Sequence, residues 1–228
     1  MSKRTLTVVI VAGVVVAGAV AALAGPAFYR DVIVGHAAPV PTLTVAATSG
    51  PAVDPAAVQG AWRVADGSYA GYRIHEVLNG AEATVVGRTD TVNGMLTVDG
   101  DTLTAASFTV DVASITTDQG SRDSYFRSTT MQTFRYPTAT FTLTEPVAAA
   151  PAPRLGAKHT VAATGDLTLA GTTRSVTVTL DAVFDGERAQ VAGSIPITLA
   201  DYGIHAPSLG FVRVDDAGAI EFSLTLVR

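Results

Sequence analysis

The run Ser175-Val176-Thr177-Val178-Thr179-Leu180-Asp181-Ala182-Val183-Phe184-Asp185-Gly186 carries the fold class of this chain. Val176, Val178, Leu180, Ala182 and Phe184 fall on one side of an extended backbone. Ser175, Thr177, Thr179 and Asp181 fall on the other. Period-two alternation of this kind marks an antiparallel strand with one buried and one wet face. Val and Thr also suit a pleated surface. Asp185-Gly186 supplies the positive φ of a tight hairpin turn, and Arg188–Leu199 reads as the returning strand.

The same pattern recurs on both sides. Phe108, Val110 and Val112 alternate with Ser107, Thr109 and Asp111. Ala139, Phe141 and Leu143 alternate with Thr138, Thr140, Thr142 and Thr144. Ile220, Phe222, Leu224 and Leu226 alternate with Glu221, Ser223 and Thr225. Asp99-Gly100 joins Met95–Val98 to Asp101–Val112, and Asn93-Gly94 reads as a turn or a bulge inside a strand-like stretch. Regular strand–turn spacing predicts an all-β domain. Strands of about ten residues favour a barrel, whose closure removes exposed edges. One stretch, Thr117 to Ser128, lacks alternation. It predicts a short helix with Ser121 as N-cap, crossing or capping one end of the barrel.

The whole chain sets outer bounds. It has 228 residues, 48% of them hydrophobic and 15% charged, with a net charge of -5. Such a composition excludes general disorder. The absence of cysteine excludes disulfides, thiol nucleophiles and iron–sulfur clusters. No basic patch announces a nucleic-acid binder, so none is expected as a partner. Lys3 and Arg4 precede an uncharged apolar run through Leu23. That run is long enough to cross about 30 Å of hydrocarbon, and the basic pair favours an N-terminus inside the cytoplasm. Residues 1–30 therefore read as a signal anchor spanning Thr5–Ala24, with the cytoplasmic membrane as a partner. Phe28 and Tyr29 beside Arg30 suit an outer interfacial belt. Cleavage after Ala24, giving a secreted protein, is the alternative. Residues 31–60, rich in Pro, Ala and Thr, read as a linker that builds no core. Residues 61–228 read as one extracytoplasmic domain.

Chemistry-bearing motifs are few. His36, His75, His159 and His205 show no helical pair spacing, and no metal site is expected. His205 with Ser208 lacks an identifiable acid, so an enzyme is not expected.

The stretch Ser114-Ile115-Thr116-Thr117, Arg122-Asp123, Phe126, Met131, Phe134 and Tyr136-Pro137-Thr138-Ala139-Thr140-Phe141 resembles the YceI-like family, in its membrane-anchored actinobacterial form. Gly165-Asp166-Leu167-Thr168-Leu169-Ala170-Gly171-Thr172-Thr173-Arg174 is similar to the family's second signature, and Trp62, Ser68 and Tyr72 to its opening. Tyr125 stands where many members carry His. The resemblance implies an eight-stranded, lipocalin-like antiparallel barrel with a short helical insertion. It also implies an apolar tunnel for a polyisoprenoid, such as a quinone or polyprenyl lipid, with no catalysis and no other cofactor. The candidate tunnel lining is Phe108, Val110, Val112, Phe141, Leu143, Val178, Leu180, Phe184, Phe222 and Leu224, with Phe126, Met131 and Phe134 as a lid. Arg122, Asp123 and Tyr125 are candidates for the mouth, beside a headgroup. Two rival readings accompany this lipid carrier. One is an envelope interaction module with a solid barrel core. The other is a hydrolase or isomerase for a small apolar substrate.

Overall fold

The computed structural model describes residues 37–228 apart from 46–49, 79, 151, 209 and 211. The expected membrane-spanning segment lies outside the described residues. Among those residues, no helix is long and apolar enough to cross a membrane. The strands are β1 (Gly60–Leu78), β2 (Ala81–Thr89), β3 (Val92–Asp99), β4 (Thr102–Asp111), β5 (Thr138–Leu143), β6 (Val147–Ala148), β7 (His159–Leu169), β8 (Thr172–Phe184), β9 (Ala189–Thr198) and β10 (Val212–Val227). Two short helices, α1 (Pro55–Val58) and α2 (Gly120–Tyr125), lie at opposite ends.

All pairings are antiparallel, and the sheet closes on itself through β1 and β10, from Arg63↔Val227 to Leu78↔Val212. Two pairs of segments act as single staves. β2 and β3 together face β1, with Ala70 opposite Thr89 and Arg63 opposite Met95. β5 and β6 together face β4, with Ser107 opposite Thr142 and Thr102 opposite Ala148. Ten segments thus make an eight-stranded closed barrel; the alternation predicts a barrel, and the family resemblance implies its eight strands. Closure pairs the first strand with the last, while β2 is laddered to β1 along one edge and meets the crossover at the Arg88–Thr116 bridge on the other.

The hairpin signals at Asp99-Gly100 and Asp185-Gly186 are turns, with φ of 60° and 111° at the glycines. Asn93-Gly94 is neither turn nor bulge. Gly94 sits within β3 directly opposite Phe108, and a Cβ there would lie 2.4 Å from the Phe108 ring. The glycine is needed for space rather than for a bend.

The α2 crossover covers one end. β4 leads into a 3-10 turn, Val112–Ser114, in which the Asp111 carboxylate accepts from the Ala113 amide at 2.9 Å. The amides of Arg88 and Thr116 donate to each other's carbonyls at 3.0 Å, fixing the crossover to β2. Helix α2 starts at Gly120, and no side chain caps it. Ser121 lies inside the helix, so the expected N-cap is displaced by two residues to Gln119. A π-turn, Phe126–Thr130, follows directly. Val112, Ile115 and Met131 pack with Leu167, Leu169, Ile195 and Tyr202 into the apolar core at this end.

Much of the presumed linker is folded onto the barrel. The Gly50 amide donates to Leu155 and the Val53 amide to Pro153, at 2.8 and 2.9 Å. Asp54 caps α1 by accepting from the Ala56 amide at 3.0 Å, and Pro55 takes the first helical position. Trp62 is buried under α1, donates its indole N–H to Val58 at 2.8 Å, and meets Phe184 edge-on at 6.0 Å. Further up the outer wall, the backbone carbonyls of Ala38 and Pro39 accept from Arg73 and Arg88 at 2.6 and 2.5 Å. Both guanidinium groups also reach Glu221, an outward-facing acid whose side chain is only 2% exposed.

Candidate functional site

The inward residues of the barrel do not meet in the middle. They enclose a cavity of about 870 Å³, so the interior is not the solid core of the rival reading. That volume falls near the upper end of the range typical of ligand pockets.

The wall is open partly because its aromatic rings lie flat. Phe222 pairs directly with Gly193, Phe108 with Gly94 and Tyr72 with Gly87, while Phe141 lies over Gly165. A Cβ added at any of these glycines would come within 2.4–2.6 Å of the ring it carries. The rings occupy the space of the missing side chains and leave the axis free.

Phe108, Val110, Val112, Phe141, Leu143, Val178, Leu180, Phe184, Phe222 and Leu224 all line the cavity. Phe126 and Met131 line it from the α2 crossover. Phe134 does not. It is 82% exposed, because Gln132 turns the chain with φ 48° and its carbonyl accepts from both Arg135 and Tyr136, placing Phe134 at the tip of that turn. Arg122 and Tyr125 reach the cavity; Asp123 does not. Asp123 is buried and bent back, accepting from the Thr117 amide at 2.9 Å and its hydroxyl at 2.7 Å. It ties the loop. His205 and Ser208 are exposed and lie outside the cavity lining.

Sequence reading named Arg122 at the α2 end but missed the acids that hold it. The inward row of β1 runs Ala70, Tyr72, Ile74, Glu76, Leu78, and places an acid where an apolar residue is expected. Glu76 is 4% exposed and accepts from Arg122 Nη2 at 2.9 Å. Arg122 Nη1 donates to Asp118 at 2.7 Å. Tyr72 stacks on Phe126 at 5.0 Å, and its hydroxyl has no hydrogen-bond partner among the described residues. Burial pushes the Tyr72 phenol well above its ordinary pKa; Arg122 opposes the shift, while Asp123, Glu76 and Asp118 add to it. Tyr72 is therefore a neutral donor. Asp118, Gln119 and Ser121 line the cavity and are exposed, so it reaches the surface beside α2. The available signal was Glu76 itself, an acid between Ile74 and Leu78 in an alternating run.

At the α1 end the lining includes Val53, Pro55, Val58 and Trp62, with His159 and Asp101 as the ionisable residues. Among the described residues, no group of His, Asp and Glu is placed to hold a metal ion.

A closed antiparallel barrel around an apolar cavity, with a helical crossover at one end, defines a lipocalin-like class. Within it, the model of the YceI-like domain matches residues 62–226, and the chain belongs to that family. A polyisoprenoid binding domain from Saccharophagus degradans, implicated in plant cell wall breakdown, superposes with a TM-score of 0.58 at 19% identity, over 74% of this chain and 98% of its own. BcnA of Burkholderia cenocepacia superposes with a TM-score of 0.53 at 22% identity, over 68% of this chain and 95% of its own. At these identities the likeness is one of fold. No curated protein matches the sequence.

Proposed function

We propose that this chain is a membrane-tethered, extracytoplasmic carrier that holds one long isoprenoid lipid, of quinone or polyprenyl type, inside its barrel. The observation that carries the reading is the apolar cavity of about 870 Å³. The description of the Saccharophagus degradans relative as a polyisoprenoid binding domain supports the ligand class. Burying hydrocarbon is worth about 0.8 kcal/mol per CH₂. Some twenty enclosed carbons give roughly 16 kcal/mol gross, against several kcal/mol of lost ligand freedom. Tight binding then follows from shape and apolarity alone.

The site is read as one that holds its ligand rather than transforms it. Glu76 and Arg122 direct their hydrogen bonds at each other, and no activated nucleophile faces the cavity among the described residues. The tether is read from the basic pair and apolar run of residues 1–30. Holding the barrel at the bilayer raises its effective concentration where isoprenoid lipids reside.

Native mass spectrometry of the full chain purified from a membrane extract, followed by denaturing extraction, tests the binding. A stoichiometric long-chain lipid is expected. A protein that stays empty after incubation with quinone and polyprenyl lipids overturns the carrier reading in favour of an envelope interaction module. Alkaline phosphatase fused after Arg228 is expected to be active, and an inactive fusion rejects the extracytoplasmic placement.

A further inference from the structure

The polar end of the cavity is built against negative charge. Arg122 is the only Lys or Arg among the described lining residues, and both arms of its guanidinium are occupied, by Glu76 at 2.9 Å and Asp118 at 2.7 Å. Two carboxylates thus face one cation. Arg127, the next cation along the crossover, does not line the cavity and reaches the Ile115 carbonyl at 3.5 Å. A phosphate entering here meets an excess of carboxylate and no free guanidinium. A desolvated charge without a partner is strongly disfavoured, and like-charge juxtaposition is a common device of exclusion. An uncharged oxygen meets a different surface. The Tyr72 hydroxyl is a neutral donor on the cavity wall with no hydrogen-bond partner among the described residues, held in place by the Phe126 ring at 5.0 Å and by Gly87 beneath it.

We infer that the cavity selects isoprenoids with an uncharged oxygen headgroup, a quinone carbonyl or a prenol hydroxyl accepting from Tyr72, and that the Glu76–Arg122–Asp118 chain excludes their phosphorylated relatives. The inference rests on the carrier reading and narrows it.

The test offers the full chain a menaquinone, a polyprenol and a polyprenyl monophosphate of matched chain length, with binding measured by native mass spectrometry and by competition. The menaquinone and the polyprenol are expected to load, and the monophosphate about 100-fold more weakly. Asp118→Asn, at a half-exposed carboxylate, is expected to strengthen monophosphate binding about tenfold and to leave the polyprenol within about threefold. Glu76→Gln is expected to act in the same direction. Tyr72→Phe is expected to weaken the menaquinone about fivefold, the size of one neutral hydrogen bond, while binding of squalene, which has no headgroup, is unchanged. A monophosphate that binds as well as the polyprenol overturns this inference and leaves the carrier reading standing. A chain that takes up none of the three lipids overturns both.

Discussion

Gly193 shows how single residues set the shape of the cavity. A Cβ there would lie 2.6 Å from Phe222 and 3.3 Å from Leu180. Gly193→Ala is expected to push the Phe222 ring off the wall. Overpacking of this kind costs about 1–3 kcal/mol, readable in a urea titration. The same variant is expected to shift the retained lipid toward shorter chains, and an unchanged lipid profile would contradict the flat-ring account. None of this was legible in the sequence. Gly94 and Phe108, or Gly193 and Phe222, are far apart along the chain and meet only through register. A glycine beside asparagine therefore read as a turn or a bulge. Glu76 was hidden for a related reason. Its acid belongs to the inward row of β1, but its partner Arg122 comes from an irregular crossover with no period to place it.

Among elements, the strands were the easiest to read and the segments around them the hardest. Each quoted apolar row of β4, β5, β8 and β10 contributes to the cavity wall, because alternation is a local property of a pleated strand. β1 escaped notice. Its inward row is interrupted by Glu76, and its pairing with β10 is irregular between Ala65 and Tyr69. Residues 50–58 looked like linker since Pro, Ala and Val have no period, yet they cover one end of the barrel. Trp62 anchors that cover. Trp62→Ala is expected to lower stability by about 3–5 kcal/mol. Trp62→Phe removes the indole donor to Val58 and is expected to cost about 1 kcal/mol, with faster proteolysis within residues 50–58. A variant as protease-resistant as the parent would mean that α1 is held by other contacts. The β8–β9 turn gives a pH test. Backbone amides of Arg188 and Glu187 donate to Asp185 and hold its carboxyl below the usual range. A depressed native pKa adds stability above the unfolded value and loses it as pH falls through the folded one. Hydrogen-exchange protection at Glu187 and Arg188 is expected to be level near neutrality and to drop below about pH 4. Asp185→Asn is expected to remove that dependence.

For the molecule as a whole, a filled barrel is more stable than an empty one. A ligand at a hundred times its Kd adds about 2.7 kcal/mol. In a domain of this size that corresponds to a rise of roughly 5–10 °C in Tm. Thermal unfolding with and without a saturating isoprenoid measures it, and coincident curves would speak against a lipid held inside.

The β1–β10 seam also governs how the chain folds. Arg63 must find Val227, so the barrel cannot close until its last strand has emerged. Contacts this remote in sequence make folding slow, in the range of milliseconds to seconds for comparable β topologies. Until then, β1 and β9 each present a free edge. A chain that stops before β10 keeps both edges bare, and self-association rather than a smaller barrel is its expected fate.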